Sequence, residues 1–459
     1  RMTQAVTKVH RSEVVVIGAG LAGINAALKL EAAGLKVCTL EAQNRVGGRV
    51  HSMRQHGGKQ EVGGTYIGAG YRRIIDAAKR YDVKLVDVTP MLKFFREQEL
   101  VLNREIIRQS EWPDHPSNSF PTNDKNLFPW NYHRVVAERE NPLSTPADWL
   151  GPNFSEYDIS VHEWLKRLGL SESAIALGYG INVSYGKNAH DVSALLLFFK
   201  AAFSVTQRPF APSGSMGYTA QEGMQRIPEA MANALRQDIH CNKEVIGVES
   251  ASGGCKVRCS DGSVYATHRV VCSLPLGVLR NIKLDPPLSG LQARALQSIE
   301  SQALTQLYFA HTSKFWEKDG FAPSMFTDGP AGMVSAVRSG EDPTEVTGLT
   351  AWVMGLKAEK LDTLSPKEAG RLALQSIETI RPASKGQLEL LGINSWGTDP
   401  FAQGAWAYFK PGQITHLAPI MSKPHGLIHF CGEHLAIANR GMEGAMESGE
   451  RVALEIINA

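Results

Sequence analysis

Two short groups of residues could do chemistry on their own. Gly18-Ala19-Gly20-Leu21-Ala22-Gly23 sets three glycines at the spacing of a phosphate-approach turn. Gly18 allows the tight turn, Gly20 lets a pyrophosphate reach the backbone, and Gly23 lets a helix pack closely on a strand. Glu41 follows, placed to accept hydrogen bonds from an adenosine ribose; an acid there favours a free hydroxyl over a phosphate.

Those residues need particular elements around them. Residues 13–17 read EVVVI, a continuous apolar run suited to a buried parallel strand. Residues 24–33 have helical apolar spacing and stop at Gly34, and residues 35–40 read as a second strand ending at Glu41. This strand–turn–helix–strand context turns a weak glycine match into an expectation of dinucleotide binding, with Ala22 and Ala42 in the same two turns. The competing reading is a glycine-rich turn without a ligand. The helix N-terminus would offer N–H groups and a partial positive charge to the phosphates. Arg45-Val46-Gly47-Gly48-Arg49 and Glu61-Val62-Gly63-Gly64-Thr65-Tyr66 come next. Paired glycines in both imply two more close backbone approaches, at Gly48 and at Gly63, Gly64 and Thr65. Arg49 suits the pyrophosphate or ribityl region, or else a surface ion pair.

The run VVVIGAGLAGINAALKLEAAG, followed by TLEAQNRVGGRV and EVGGTYIG, resembles the start of the flavin-containing amine oxidase family. The similarity continues through residues 222–235, Lys243-Glu244-Val245-Ile246, residues 270–279 (VVCSLPLGVL), Trp396, Asp399-Pro400, Gly404-Ala405-Trp406 and Phe430-Cys431-Gly432-Glu433, then residues 441–457. It implies an α/β fold: a Rossmann-like FAD-binding domain (1–88, 214–288 and 393–459) interleaved with an α+β substrate domain (89–213 and 289–392). It also implies that the Val245 backbone meets the adenine, that Trp396 belongs to the cofactor wall and that Glu433 meets ribityl hydroxyls. A C-terminal helix starting near Met442 would aim its N-terminus at the flavin ring, where charge develops on reduction.

Three departures from the family's pattern matter. Ala405 stands where many members have a flavin-linking cysteine, so the expected FAD is non-covalent. Trp406 matches one of two aromatic rings flanking the amine, but the other position falls at Gly441, Asn439 or Arg440. Gln306 stands where most members place a lysine holding a water at flavin N5; glutamine can hold a water but brings no charge. Tyr66 is expected on the substrate side.

The implied reaction is hydride transfer from the amine's α-carbon to flavin N5. Imine hydrolysis would follow, giving aldehyde or ketone plus amine or ammonia. Oxygen would reoxidise the flavin to yield hydrogen peroxide, unless another acceptor, even a protein, does so. The alternatives are an FAD desaturase or dehydrogenase with a non-oxygen acceptor, and a redox-silent FAD-binding protein. An NAD-dependent dehydrogenase is disfavoured by the later flavin segments.

The rest of the chain sets bounds. It has 459 residues, 43% hydrophobic and 20% charged, with a net charge of +2. That balance gives no case for nucleic acid. No apolar run approaches bilayer length, so a soluble, cytoplasmic protein without a membrane anchor is expected, a trimmed leader aside. The six cysteines are scattered without zinc-site spacing, so no metal is expected. A homodimer is allowed. Residues 366–380 read as a helix with Ser365 as N-cap. Residues 110–154, rich in Pro, Asn, Asp, Ser and Trp, read equally as a surface excursion or as a lid. Arg108, His133, Arg134 and Arg208 could meet an acidic substrate, although solvated surface is the default for each.

Overall fold

Continuous apolar runs become the buried strands of a parallel sheet. A computed structural model of the chain describes residues 8–54, 60–212 and 214–459. In it Val14–Ile17 pairs in parallel with Val37–Leu40 on one side and Arg269–Cys272 on the other, and Ile428–Phe430 completes the sheet. All four residues of Val14–Ile17 are buried, as a strand covered on both faces requires. Helix Leu21–Ala32 starts directly after Gly20 and stops before Gly34, whose φ of +90° is left-handed. The C-terminal helix Gly441–Ile457 packs against it. Gly449 permits that approach: a Cβ there would lie 2.3 Å from the Ala22 carbonyl oxygen.

Two larger sheets flank this unit. One runs in the order Val9–Arg11, Val264–Thr267, Gly254–Cys259, Val245–Ala251, Lys283–Asp285. The other runs Leu388–Ser395, Leu304–His311, Gly348–Met354, Met333–Val337, Ser324–Thr327, Gln98–Leu102, Glu105–Ile107. It is antiparallel except where Ser324–Thr327 meets Gln98–Leu102. The expected α/β class holds. The strand Leu388–Ser395 runs across residue 393, where the sequence reading sets a boundary. Helix Pro366–Ile380 begins at the expected N-cap, with Ser365 and Glu368 forming a reciprocal capping box.

Residues 110–154 put several aromatics into the core. Trp112, Phe120, Tyr132 and Trp149 are buried, and Trp149 stacks on Phe199 of helix Ala194–Gln207 with ring centroids 4.2 Å apart. Of the two readings of this segment, a plain surface excursion does not account for these buried aromatics: polar turn residues at the surface frame the segment, but its aromatics anchor it. Among the described residues no helix is long and apolar enough to cross a membrane, and no cluster of metal-ligating side chains forms. All six cysteines are free, and four of them are buried.

Candidate active site

The glycine turn, the C-terminal helix and the seven-stranded sheet enclose one cavity of about 480 Å³. Every residue named for the cofactor lines it, from Gly18, Gly20, Ala22 and Gly23 through Glu41, Ala42, Gly48 and Arg49 to Gly63, Gly64, Thr65, Val245, Trp396, Gly432, Glu433 and Met442. Gln306 and Trp406 line it as well. Tyr66 does not: it is 47% exposed, with its ring 5.5 Å from that of Phe95. Successive residues of extended chain face opposite ways, so burying Ile67 turns Tyr66 outward.

The glycines divide their work. Gly18 has a φ of +99°, and a Cβ on Gly23 would lie 2.0 Å from the Gly18 carbonyl oxygen. Both are required by the fold. A Cβ on Gly20 would meet nothing nearer than the Gly47 carbonyl oxygen, 3.9 Å away, so its bareness leaves backbone open to the cavity. Gly63 is again structural, since its Cβ would sit 1.7 Å from the Arg49 carbonyl oxygen. That contact clamps the two glycine-pair segments together.

The acids are held in place by backbone and by each other. Glu41 ends the Val37–Leu40 strand, and its carboxylate accepts the N–H groups of Ala19 at 3.0 Å and Gln43 at 2.9 Å. Burial raises its pKa against the pull of those bonds. Arg49 is not on an isolated surface bridge. It donates to Glu433 at 3.0 Å and to the Ala405 carbonyl, joining the N-terminal and C-terminal segments at the cavity wall. Burial would raise the Glu433 pKa, but the Arg49 charge, with the Ala407 N–H, brings it below the usual carboxylate range. Burial also lowers His434 to about 4, keeping that ring neutral.

Two helix N-termini reach the cavity, and neither is capped by a side chain: that of Leu21–Ala32 at Gly20 and that of Gly441–Ile457 at Arg440. Uncapped first-turn N–H groups with an aligned dipole favour anions. Gln306, fully buried in the strand Leu304–His311, receives the Tyr308 hydroxyl on Oε1 at 3.2 Å, and its Nε2 has no partner. A buried donor left unpaired is costly unless a ligand or water meets it. These features fit a flavin dinucleotide: bare backbone and helix dipole for the phosphates, an acid for the ribose, a free donor at the far end.

At that far end Trp406 donates its indole N–H to the Ser184 carbonyl at 2.8 Å and meets the buried Tyr185 ring edge-on at 6.4 Å. Trp352 lies opposite Gln306 on the neighbouring strand and lines the same wall. Neither Tyr185 nor Trp352 was singled out from the sequence. Strand pairing brings Trp352 to the wall, Tyr185 sits in the loop after helix Glu172–Gly180 with its N–H donating to the Tyr179 hydroxyl at 3.1 Å, and no local motif marks either. The sequence-named Arg108 and Arg208 pair outward with Glu99 and Glu138, and His133 is buried with its pKa lowered to about 3 by desolvation.

Comparison with known proteins places this geometry. The model of the flavin-containing amine oxidoreductase family matches residues 21–457. A flavin-containing amine oxidase of Danio rerio is 27% identical, over 97% of this chain and 86% of the relative. Flavin-containing amine oxidase B of Mus musculus is 26% identical, over 98% and 87%. Two solved structures are alike in fold. One is an alanine-to-cysteine variant from a redesign of cofactor binding in putrescine oxidase (TM-score 0.78, 24% identity, 98% of this chain and 100% of the other). The other is cyclohexylamine oxidase from Brevibacterium oxydans (TM-score 0.77, 20% identity, 97% and 99%).

Proposed function

The chain belongs to the flavin-containing amine oxidoreductase family, and from that premise we propose that it holds FAD non-covalently and oxidises a small-molecule amine. The observation that carries the reading is the continuity of one cavity from Glu41 to Trp406. The segments 1–88, 214–288 and 393–459 would hold the cofactor, and 89–213 with 289–392 would meet the amine.

The residues then take roles by position. The Gly20 turn and the Leu21–Ala32 N-terminus would bind the pyrophosphate, Glu41 the ribose, and the Arg49–Glu433 pair the ribityl region. The N-terminus of Gly441–Ile457 would face the ring edge where negative charge collects. Non-covalent binding is supported by the lining itself, which holds no cysteine, histidine or tyrosine among the described residues. When bound, the flavin supplies hydride acceptance from the carbon bearing the amine and returns the electrons to oxygen, giving hydrogen peroxide, or to another acceptor. Trp406 would position the amine and exclude water from it, and Gln306 Nε2 would hold a water beside it. Neither side chain moves a proton, so the amine must arrive neutral, and the released imine meets water to give a carbonyl compound and an amine or ammonia.

Purified protein should be yellow, and acid precipitation should release all its flavin. Colourless protein that takes up no added FAD would end this reading.

A further inference from the structure

The cavity end opposite the glycine turn carries positive charge that forms no ion pair with an acid among the described residues. Arg440 lines it, with its guanidinium 5.1 Å from the centre of the Tyr185 ring. The Lys200 ammonium lies 5.4 Å from the same ring centre. Among the described residues no carboxylate pairs with Arg440, Lys200 or Arg134, whereas Arg49, the other arginine lining the cavity, is paired with Glu433. Tyr185 stands edge-on to Trp406, so the cations sit beside the place proposed for the amine, away from Glu41 and the phosphate turn. Gly441 adds room there, since a Cβ built on it would meet nothing within 4 Å.

Two partly buried cations beside one ring repel each other, and a pocket that keeps them has a use for an anion. The strain is visible at Lys200, whose pKa is lowered to about 7 by burial and by the charges of Arg440 and Arg134. A planar guanidinium facing a cavity suits a carboxylate, which it can grip through two parallel bonds.

We propose that the amine oxidised here carries a carboxylate, bound by Arg440 with Lys200 behind it in the space that Gly441 leaves open. This rests on the amine-oxidation reading above and narrows its substrate class to amino acids in the broad sense, with the acid at a distance from the reacting carbon that the chain length of the substrate sets.

The test reduces the holoenzyme anaerobically with propylamine to hexylamine, each against the ω-amino acid of the same chain length. The ratio of reduction rate to dissociation constant should favour the best amino acid over its plain amine by about tenfold or more. Arg440→Gln should bring that ratio towards one, and Arg440→Lys should restore part of it. Arg208→Gln, which breaks an ion pair with Glu138 on the outer surface, should leave the ratio where it was. A wild-type ratio at or below one for every length, or a ratio unmoved by Arg440→Gln, overturns the proposal.

Calorimetry with hexanoate and hexanol separates the two readings, because it needs no turnover. Hexanoate should bind about tenfold tighter than hexanol, and Arg440→Gln should remove the difference. That result with no amine reducing the flavin would end amine oxidation while keeping the anion site. Equal binding of the two ligands would end the anion site whether or not amines are oxidised.

Discussion

The two ends of the cavity are built by different means. At the glycine turn the surface is backbone: Gly23 and Gly63 are fixed by carbonyl oxygens that a Cβ would strike, Gly18 by its left-handed φ and the Ser273 hydroxyl, and Gly20 is left bare. At the Trp406 end the surface is side chain: an indole, an amide with an unused donor, and two cations around a phenol ring. Backbone sites tolerate little change and recognise what all members of a family share. Side-chain sites change by single substitutions, and it is there, at Ala405, Gly441 and Gln306, that the sequence leads one to expect departures from the family's pattern.

The sharpest way to break the comparison lies within the glycine turn. Gly23→Ala should lower stability by about 3 kcal/mol, because the helix must shift off the Gly18 carbonyl oxygen. Gly20→Ala should leave the apoprotein's melting temperature almost unchanged and weaken FAD binding on the order of tenfold. Thermal melts of apoprotein and a flavin titration of both variants read this. Equal losses of stability would show that Gly20 is structural too.

At the other end, Trp406→Ala should cut the rate of flavin reduction by amines about a hundredfold while flavin content stays near one per chain. Loss of the flavin along with the rate would mean that Trp406 belongs to the cofactor half. Gln306→Lys should speed reoxidation of the reduced enzyme by oxygen several-fold, followed in a stopped-flow experiment, if a charge beside the flavin is what the glutamine withholds. An unchanged rate would move Gln306 away from that position.

The same division explains what could be read before the structure was seen. The glycine turn, Glu41 and the flanking strands are contiguous, and period and spacing suffice to find them. Helix Pro366–Ile380 was legible because its N-cap, its first-turn proline and its Glu368 are local signals. Trp352 is at the site only because its strand pairs with Leu304–His311, and Tyr185 only because the loop after helix Glu172–Gly180 carries it to Trp406. Tyr66 was named by its place in a motif, and strand alternation carried its ring to the outside. Residues 110–154 have the composition of a loop, yet Trp112 and Tyr132 are wholly buried, because the segment's own aromatics and turn residues close over them: Trp112 on Phe120 and the Leu127 carbonyl, Tyr132 on Phe120 and Asp124.

The smallest expected effect concerns pH. Lys200 titrates near 7 and faces Arg440, Arg134, His133 and the Tyr185 ring. Its folded pKa is depressed, so it is mostly neutral above 7 and gains its charge below. Hexanoate should therefore bind a few-fold tighter at pH of about 6 than at about 8, and Lys200→Met should flatten that slope. A slope of the opposite sign would place the anion elsewhere.

One measurement bears most directly on the central claim that this cavity joins a flavin to an amine. Oxygen-free holoenzyme is mixed with a panel of amines, hydroxy acids and alkenes while the yellow flavin band is watched. Bleaching by amines alone, with a carbonyl compound formed in equal amount, is the result the account predicts. Bleaching by hydroxy acids or alkenes with every amine inert would contradict it.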